Sequence, residues 1–440
     1  MDVVEVAPSD KSKASVKSVF KYADFSKLWI GQFVSNLGSS LTFIVLPLYI
    51  YYYTGSAFWL GIIAVMQLIP VVFFSPLAGM FVDTHNRKPI MISSDILNAI
   101  FILTVPVIIS LDKIYSKNYI LIAVAVLVFL GATANRFFMP AREASIAHIV
   151  HGDELNIAVS ISQTTMQLIL VLGPIIGATI ATVFSFSLAF IIDGASFLFS
   201  AFTILLIKSD LRPQFQSNGT RQQRPSLLLG TKKILQIKTL RFIIIIFTFL
   251  MFANSSINSF IVAFEETDLH MSQVQFGTSV SILGGSAVLA GVLLASKITK
   301  INRPLAFISG AFFIGGIILS PILVINQYWQ LYLIFFLIGP VNIFVNIPAN
   351  VIFFRDTTDE IRGQVFSALD MLISLFTIAG IVYGVIMASI IGLRLMYFLN
   401  ALIFIIVGFL GLFYLFFINN LDNKSQLIQE SSDTSAITAD

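Results

Sequence analysis

Apolar residues in this chain come in runs too long for the helices of a soluble core. Twelve such stretches follow one another at 28–53, 58–82, 88–111, 118–141, 157–182, 185–207, 240–264, 273–297, 304–325, 328–353, 363–390 and 394–418. Each is long enough, at 1.5 Å per helical residue, to cross a hydrocarbon layer of about 30 Å. Lipid offers the backbone no hydrogen bonds, so each stretch is predicted to be a helix that satisfies its own. The polar positions between them are short turns such as "YYYTGSAF" and "INQYW", with one long exception at 208–239. The pattern predicts an all-α integral membrane protein with twelve transmembrane helices in two six-helix bundles.

Composition changes the expected number of domains. A chain of 440 residues suggests about three soluble domains. Charged residues, however, make up only 11%, against about 25% in soluble proteins. The first 26 residues are polar and basic and lead into a span too long for a signal sequence, so no cleavable leader is expected. Cysteine is absent, which excludes disulfide and thiolate chemistry.

Charge fixes the expected orientation. Lys113, Lys117 and Arg394 fall in one set of loops and Arg136 falls within a span, while the other 22 basic residues lie in the second set of loops and the termini. The positive-inside rule makes that second set, and both termini, cytoplasmic. The expected location is the plasma (inner) membrane, with Tyr51, Tyr52, Tyr53, Trp59 and Trp329 in an interfacial belt. Because the basic residues are sorted by membrane side, the net charge of +3 points to no nucleic-acid partner. The expected organisation is a cytoplasmic tail (1–26), a first bundle (27–207), a cytoplasmic linker (208–239), a second bundle (240–418) and a tail (419–440).

The halves repeat at an offset of about 207 residues. "MPA" at 139–141 meets "IPA" at 347–349, and Asp153-Glu154 meets Asp359-Glu360. Gly173 and Gly177 meet Gly380 and Gly384, and "FIIDGASF" (190–197) meets "YFLNALIF" (397–404). Six spans intervene, so the copies share one orientation. A parallel repeat around a central linker is a transporter plan, with the site near mid-membrane between the halves.

The turn after the second span reads "GMFVDTHNRKP" (79–89). It resembles the hallmark Gly-x-x-x-Asp-(Arg/Lys)-x-Gly-(Arg/Lys)-(Arg/Lys) of the major facilitator superfamily. Gly79, Asp83, Arg87 and Lys88 match, whereas Thr84 and Asn86 depart from the pattern. Asn tolerates a left-handed backbone better than other non-glycine residues, so the turn is expected to survive at Asn86. Asp83 at a helix end can meet basic residues and a helix N-terminus of the other half, a latch that closes the cytoplasmic side. Its counterpart, "GVLLASKITKINRP", keeps Gly291, Lys297, Lys300 and Arg303 but has Ala295 in place of the acid.

"VLGPIIGATI" (Gly173, Pro174, Gly177) resembles the Gly-Pro-x-x-Gly signature of drug/proton antiporters in that superfamily. Small residues there let helices approach closely, and Pro kinks the span. "FSKLWIGQFVSNLGSSL", "LPLYIYYYTGS" and "FFMPAREASIAHIV" resemble its macrolide-efflux-like branch, which also contains siderophore exporters. The resemblance spans essentially the whole chain. It implies secondary active export by alternating access, by a monomer in lipid, with H+ as the coupling ion and no cofactor.

Ionisable groups within spans are functional candidates. Asp95 and Arg136 lie at similar depth, so Asp95 can pair with Arg136 or Arg142, either to steady the Asp83 loop or to carry protons. Asp193 aligns with Asn400 and reads as a packing or hydrogen-bonding position. Asp370 lies about eight residues into span eleven on a face shared with Ser367, Ser374, Thr377 and Gly384, and is expected to be desolvated. It is the first choice for proton coupling, with Asp95 the second. Substrate-cavity candidates are Gln32, Asn36, Gln67, Gln163, Gln167, Asn254 and Asn258, neutral amides among many Phe.

His85, His148, His151 and His270 all lie outside the spans. The His148/His151 pair lacks a third ligand beyond Asp153 and Glu154, so no metal site is expected. No catalytic constellation supports an enzyme, and no appended domain supports a membrane sensor. The reading is an exporter of amphiphilic drug-like or antibiotic small molecules, with siderophore export as the alternative.

Overall fold

The computed structural model describes residues 15–213, 236–298, 303–357 and 359–437. Most of the expected linker and Lys300 lie outside these residues. Within them run twelve long helices: α1 (Ala23–Thr54), α2 (Ala57–Thr84), α3 (Arg87–Ser110), α4 (Lys117–Ile149), α5 (Asp153–Val183), α6 (Phe186–Leu205), α7 (Lys238–Thr267), α8 (Gln273–Ile298), α9 (Pro304–Leu319), α10 (Tyr328–Asp356), α11 (Asp359–Ile391) and α12 (Leu393–Ile437). Each contains a segment long and apolar enough to cross a membrane. The all-α, twelve-span architecture is therefore as predicted.

Several helices overrun the apolar stretches. α4 runs on to Ile149, and α5 begins at Asp153 rather than 157. α11 begins at Asp359 rather than 363. The extra turns carry polar residues that hydropathy reads as loop. A helix in the interfacial layer loses nothing by continuing, because water satisfies its side chains there.

The described chain forms two compact units. One holds the residues up to Leu46 with those from Phe73 to 213, and the other holds Pro47–Val72 with those from 236 onward. The end of α1 and the first part of α2 thus belong with the second unit, although 47–72 falls within the first bundle expected from sequence. Small side chains make this packing possible. A Cβ on Gly61 would run into a Val385 methyl carbon on α11 and lie 3.5 Å from the Phe260 ring on α7.

The repeat is visible in the packing of each unit. In the first, Gly177 brings α5 against α1, where a Cβ would lie 3.1 Å from Leu41 Cα. In the second, its counterpart Gly384 brings α11 against α7, where a Cβ would run into the Phe260 ring and lie 2.8 Å from Ser256 Cβ. Ala141 and Ala349, the last residues of the two "PA" motifs, sit in the apolar cores of their units at 0% and 2% exposure.

Polar clamps hold the helix ends. In the first unit Asp24 accepts from Lys27 Nζ (2.7 Å), Ser209 Oγ (2.6 Å), Ser209 N (2.8 Å) and Lys208 N (3.1 Å). Lys27 and Lys88 donate to the carbonyls of Leu206 (2.9 Å) and Ile207 (2.7 Å) at the end of α6, where cations suit the helix dipole. In the second unit Arg394 Nε donates to Asp268 (2.8 Å), and its Nη1 donates to the Ile325 carbonyl (2.6 Å). One cation thereby ties α12 to the turns after α7 and α9.

Candidate functional site

The second unit contains a cavity of about 230 Å³ at mid-helix depth, lined by α2, α7 and α11. α7 supplies Asn254 and Asn258, four residues apart and so on one face. Asn258 Nδ2 donates to the Asn254 carbonyl at 2.9 Å. α2 adds Gln67, and α11 adds Thr377 and Ile381. Ala64, Leu68 and Met251 form an apolar wall, and Ser255 and Ser259 of α7 also line the cavity. One α7 serine points elsewhere: Ser256 is buried and accepts from Asn400 Nδ2 of α12 at 2.8 Å. The sequence "ANSSINS" thus divides one helix into a cavity face and a packing face.

Three of the seven amides predicted to line a cavity meet here. The other four lie in the first unit. Gln32 is buried, and its Nε2 donates to Ser200 Oγ at 3.1 Å, joining α1 to α6. Asn36 shares a small recess with Gln32, Trp29 and Arg142. Gln163 and Gln167 are exposed on α5.

The carboxyl groups depart most from expectation. Asp95 is 1% exposed and lies beside Ser200 of α6. Among the described ion pairs none joins Asp95 to Arg142. The reason is direction: Asp95 faces α6, whereas Arg142 faces the recess beside α1 and α5. Asp370 is exposed, so the desolvation expected for it is not present. Asp193 is buried and accepts from Ser39 Oγ of α1 at 3.3 Å, a hydrogen-bonding position as its alignment with Asn400 suggests.

Sequence reasoning misses Glu265, because it ends the seventh apolar stretch at 264. The residue is 1% exposed near the end of α7 and accepts from Ser279 Oγ of α8 at 2.7 Å. Helical spacing could have found it, since 265 follows 258 by seven residues and falls on the same face as the two asparagines.

The turn at 79–89 is built differently from the left-handed conformation expected. Asn86 has φ −64°, and its side chain caps α3 by accepting from Lys88 N at 3.1 Å. The amide that replaces the hallmark glycine thus serves as a helix cap. Arg87 Nη1 donates to the Ala144 carbonyl of α4 at 3.2 Å, and Asp83 is exposed. A Cβ on Gly79 would meet nothing within 4 Å. At the antiporter-type motif, Gly173 and Gly177 both face α1, and Pro174 lies inside α5.

Twelve helices long and apolar enough to span a membrane, and a neutral cavity at mid-helix depth, fit a polytopic small-molecule transporter. The chain belongs to the Major Facilitator Superfamily, whose family model matches residues 28–375. It is 23% identical over 395 residues to macrolide efflux protein A of Streptococcus pyogenes, covering 87% of this chain and 94% of that protein. Multidrug resistance protein MdtG of Enterobacter lignolyticus is 24% identical over 386 residues, with 85% and 88% covered. The crystal structure of a point mutant of the nucleoside transporter NupG superposes with a TM-score of 0.70 at 16% identity, over 88% of this chain and 98% of that one. The protein is a transporter and not an enzyme, and the resemblance to the macrolide-efflux-like branch holds.

Proposed function

We propose that this protein is a proton-coupled exporter that moves amphiphilic drug-like or antibiotic compounds out across the plasma membrane by alternating access. It acts as a monomer in lipid, with both termini in the cytoplasm. The observation that carries this reading is the cavity of Gln67, Asn254, Asn258 and Thr377. Its polar lining is neutral, so a ligand is held by amide hydrogen bonds beside apolar contact, which tolerates many shapes. A neutral lining favours amphiphiles over an anionic iron chelate, which places siderophore export second. The names of the macrolide and multidrug efflux relatives support the same substrate class. Asp370 and Asp95 are the proton-coupling candidates, Gly79, Asp83, Arg87 and Lys88 form the cytoplasmic gate, and Gly173, Pro174 and Gly177 set the close packing of α5.

The test uses inside-out vesicles with an acidic lumen and labelled erythromycin and ethidium as probes. Wild-type protein is expected to accumulate at least one probe, a protonophore to abolish accumulation, and Asn258→Leu to reduce it. Accumulation that ignores the protonophore would remove proton coupling. Absence of vectorial movement of both probes would remove the substrate class.

A further inference from the structure

The cavity is bracketed by two carboxyl groups. Asp370 precedes the cavity residue Thr377 by seven positions on α11, and Glu265 follows the cavity residue Asn258 by seven on α7. Seven residues are two helical turns, so each acid lies on the cavity stripe of its helix, about 10 Å along the axis. Both helices run in the same direction, so the two acids lie at opposite ends. Asp370 is exposed toward the cytoplasmic end, and Glu265 is buried toward the outer end.

The surroundings of Glu265 do not suit a carboxylate. Oε1 accepts from Ser279, but the buried Oε2 has no hydrogen-bond partner. Tyr332 of α10 and Tyr397 of α12 lie within electrostatic reach, yet both are neutral, and their hydroxyls donate to the carbonyls of Gln275 (3.1 Å) and Ile257 (2.7 Å). Arg394, the cation at this end, is engaged by Asp268 and the backbone. Glu266 beside it is another acid, the outer half of α11 offers Tyr383, and segment 47–72 contains tyrosines but no acid or base. An ionised carboxylate here would be buried and uncompensated, whereas the neutral acid would not.

We propose that Glu265 is a proton-binding site, carried as the acid while the outer end of α7 is closed and exchanging its proton with the external side when that end opens. The event is reversible protonation of one carboxyl oxygen, so no other group changes. Neutralising the side chain removes the charge from the buried end and lets α7 repack there; losing the proton favours exposure. The proton site stands on this geometry, and its role in coupling rests on the exporter reading above.

Infrared spectra of the purified full-length protein in lipid test the site without a substrate. At neutral pH the wild type is expected to show a carboxylic-acid carbonyl band that Glu265→Gln removes. Ser279→Ala should shift that band by deleting its hydrogen bond. A Glu265→Gln spectrum that keeps every acid band of the wild type overturns the proposal, and so does a band indifferent to Ser279→Ala. Vesicle uptake of ethidium then reads the coupling: Glu265→Gln should lose acid-driven accumulation and keep downhill equilibration. If the band belongs to Glu265 but wild-type uptake ignores the pH gradient, the exporter's proton coupling fails and the site stands. If the wild type is driven by the gradient and Glu265→Gln is driven equally, Glu265 is no part of the coupling.

Discussion

Glycines in this chain differ widely in what surrounds them, and a series of alanine substitutions turns that difference into a graded expectation. A Cβ on Gly79 meets nothing within 4 Å, and one on Gly177 comes within 3.1 Å of Leu41 Cα. One on Gly380 runs into the Phe252 carbonyl oxygen and lies 2.7 Å from the carbonyl carbon, where ordinary contact begins at 3.4 Å. All three sit in helices, where Gly→Ala alone favours folding by about 1 kcal/mol. Gly79→Ala should therefore be neutral or stabilising by up to about 1 kcal/mol. At Gly177 the neighbour is backbone and must yield by a few tenths of an ångström, so the propensity gain and the packing cost should nearly cancel.

At Gly380 the obstacle is backbone again, and α7 and α11 must separate along part of their shared face. Overpacking of this kind costs about 1–3 kcal/mol, and the carbonyl position places Gly380→Ala at the upper end or beyond. Thermal melting of detergent-solubilised protein, followed by size exclusion, measures the series. The expected order of melting temperature is Gly79→Ala, then wild type with Gly177→Ala, then Gly380→Ala well below. If Gly380→Ala melts with the wild type, the close α7–α11 approach is wrong, and with it the cavity that those helices line.

Asp83→Asn removes the acid of the expected cytoplasmic latch; export should fall with insertion intact, and spin-label distances across the cytoplasmic mouth should lengthen. Arg394→Met leaves Asp268 and the Ile325 carbonyl without their cation and should cost about 2–4 kcal/mol of thermal stability, with Arg394→Lys restoring part of it. Asp356 at the end of α10 is pushed up by burial, but the hydrogen bonds from Arg355 and Thr239 and the Arg355 charge outweigh this and hold its pKa below the ordinary value. Its contribution is thus present above the unfolded value of about 3.9 and is lost as pH falls through the lower folded one. Asp356→Asn should melt below wild type at neutral pH, and the gap should close on strong acidification.

The spans and the repeat were legible because their signals are long. A 20-residue apolar run or a glycine pair recurring at the offset of 207 survives an error of several residues in any boundary. The carboxyl groups were not legible for the opposite reason. A seventh stretch that ends at 264 places Glu265 in a turn, although it is among the most buried acids described. Asp370 reads as desolvated from its place in a long apolar run, whereas its side chain is exposed. The pairing of Asp95 with Arg142 fails on direction: depth along a helix follows from sequence, whereas the neighbouring helix that a side chain faces depends on rotation about the axis. Asn86 shows the same limit, since its type suits either a left-handed turn or a cap and only the backbone decides between them.

The two copies keep their packing positions and exchange their charges. Asp193 on α6 accepts from Ser39 of α1, and its counterpart Asn400 on α12 donates to Ser256 of α7. An amide fills the second of these equivalent places, buried and bonded to a serine, so the place itself demands hydrogen bonding and not charge. Asp193→Asn should therefore fold and transport like the wild type, provided that Ser39 still finds an acceptor in the amide oxygen. Glu265 is different in kind. Its own helix face is that of the cavity amides, and one of its oxygens has no partner. A side chain kept only for packing would gain by becoming Gln, whose amide can both donate and accept. Comparing Asp193→Asn with Glu265→Gln in the same vesicles separates the two cases: both silent would make these two buried acids structural and leave Asp95 to be tested, whereas loss at Glu265 alone would show that the titrating group lies where the cavity stripe meets the outer end of α7.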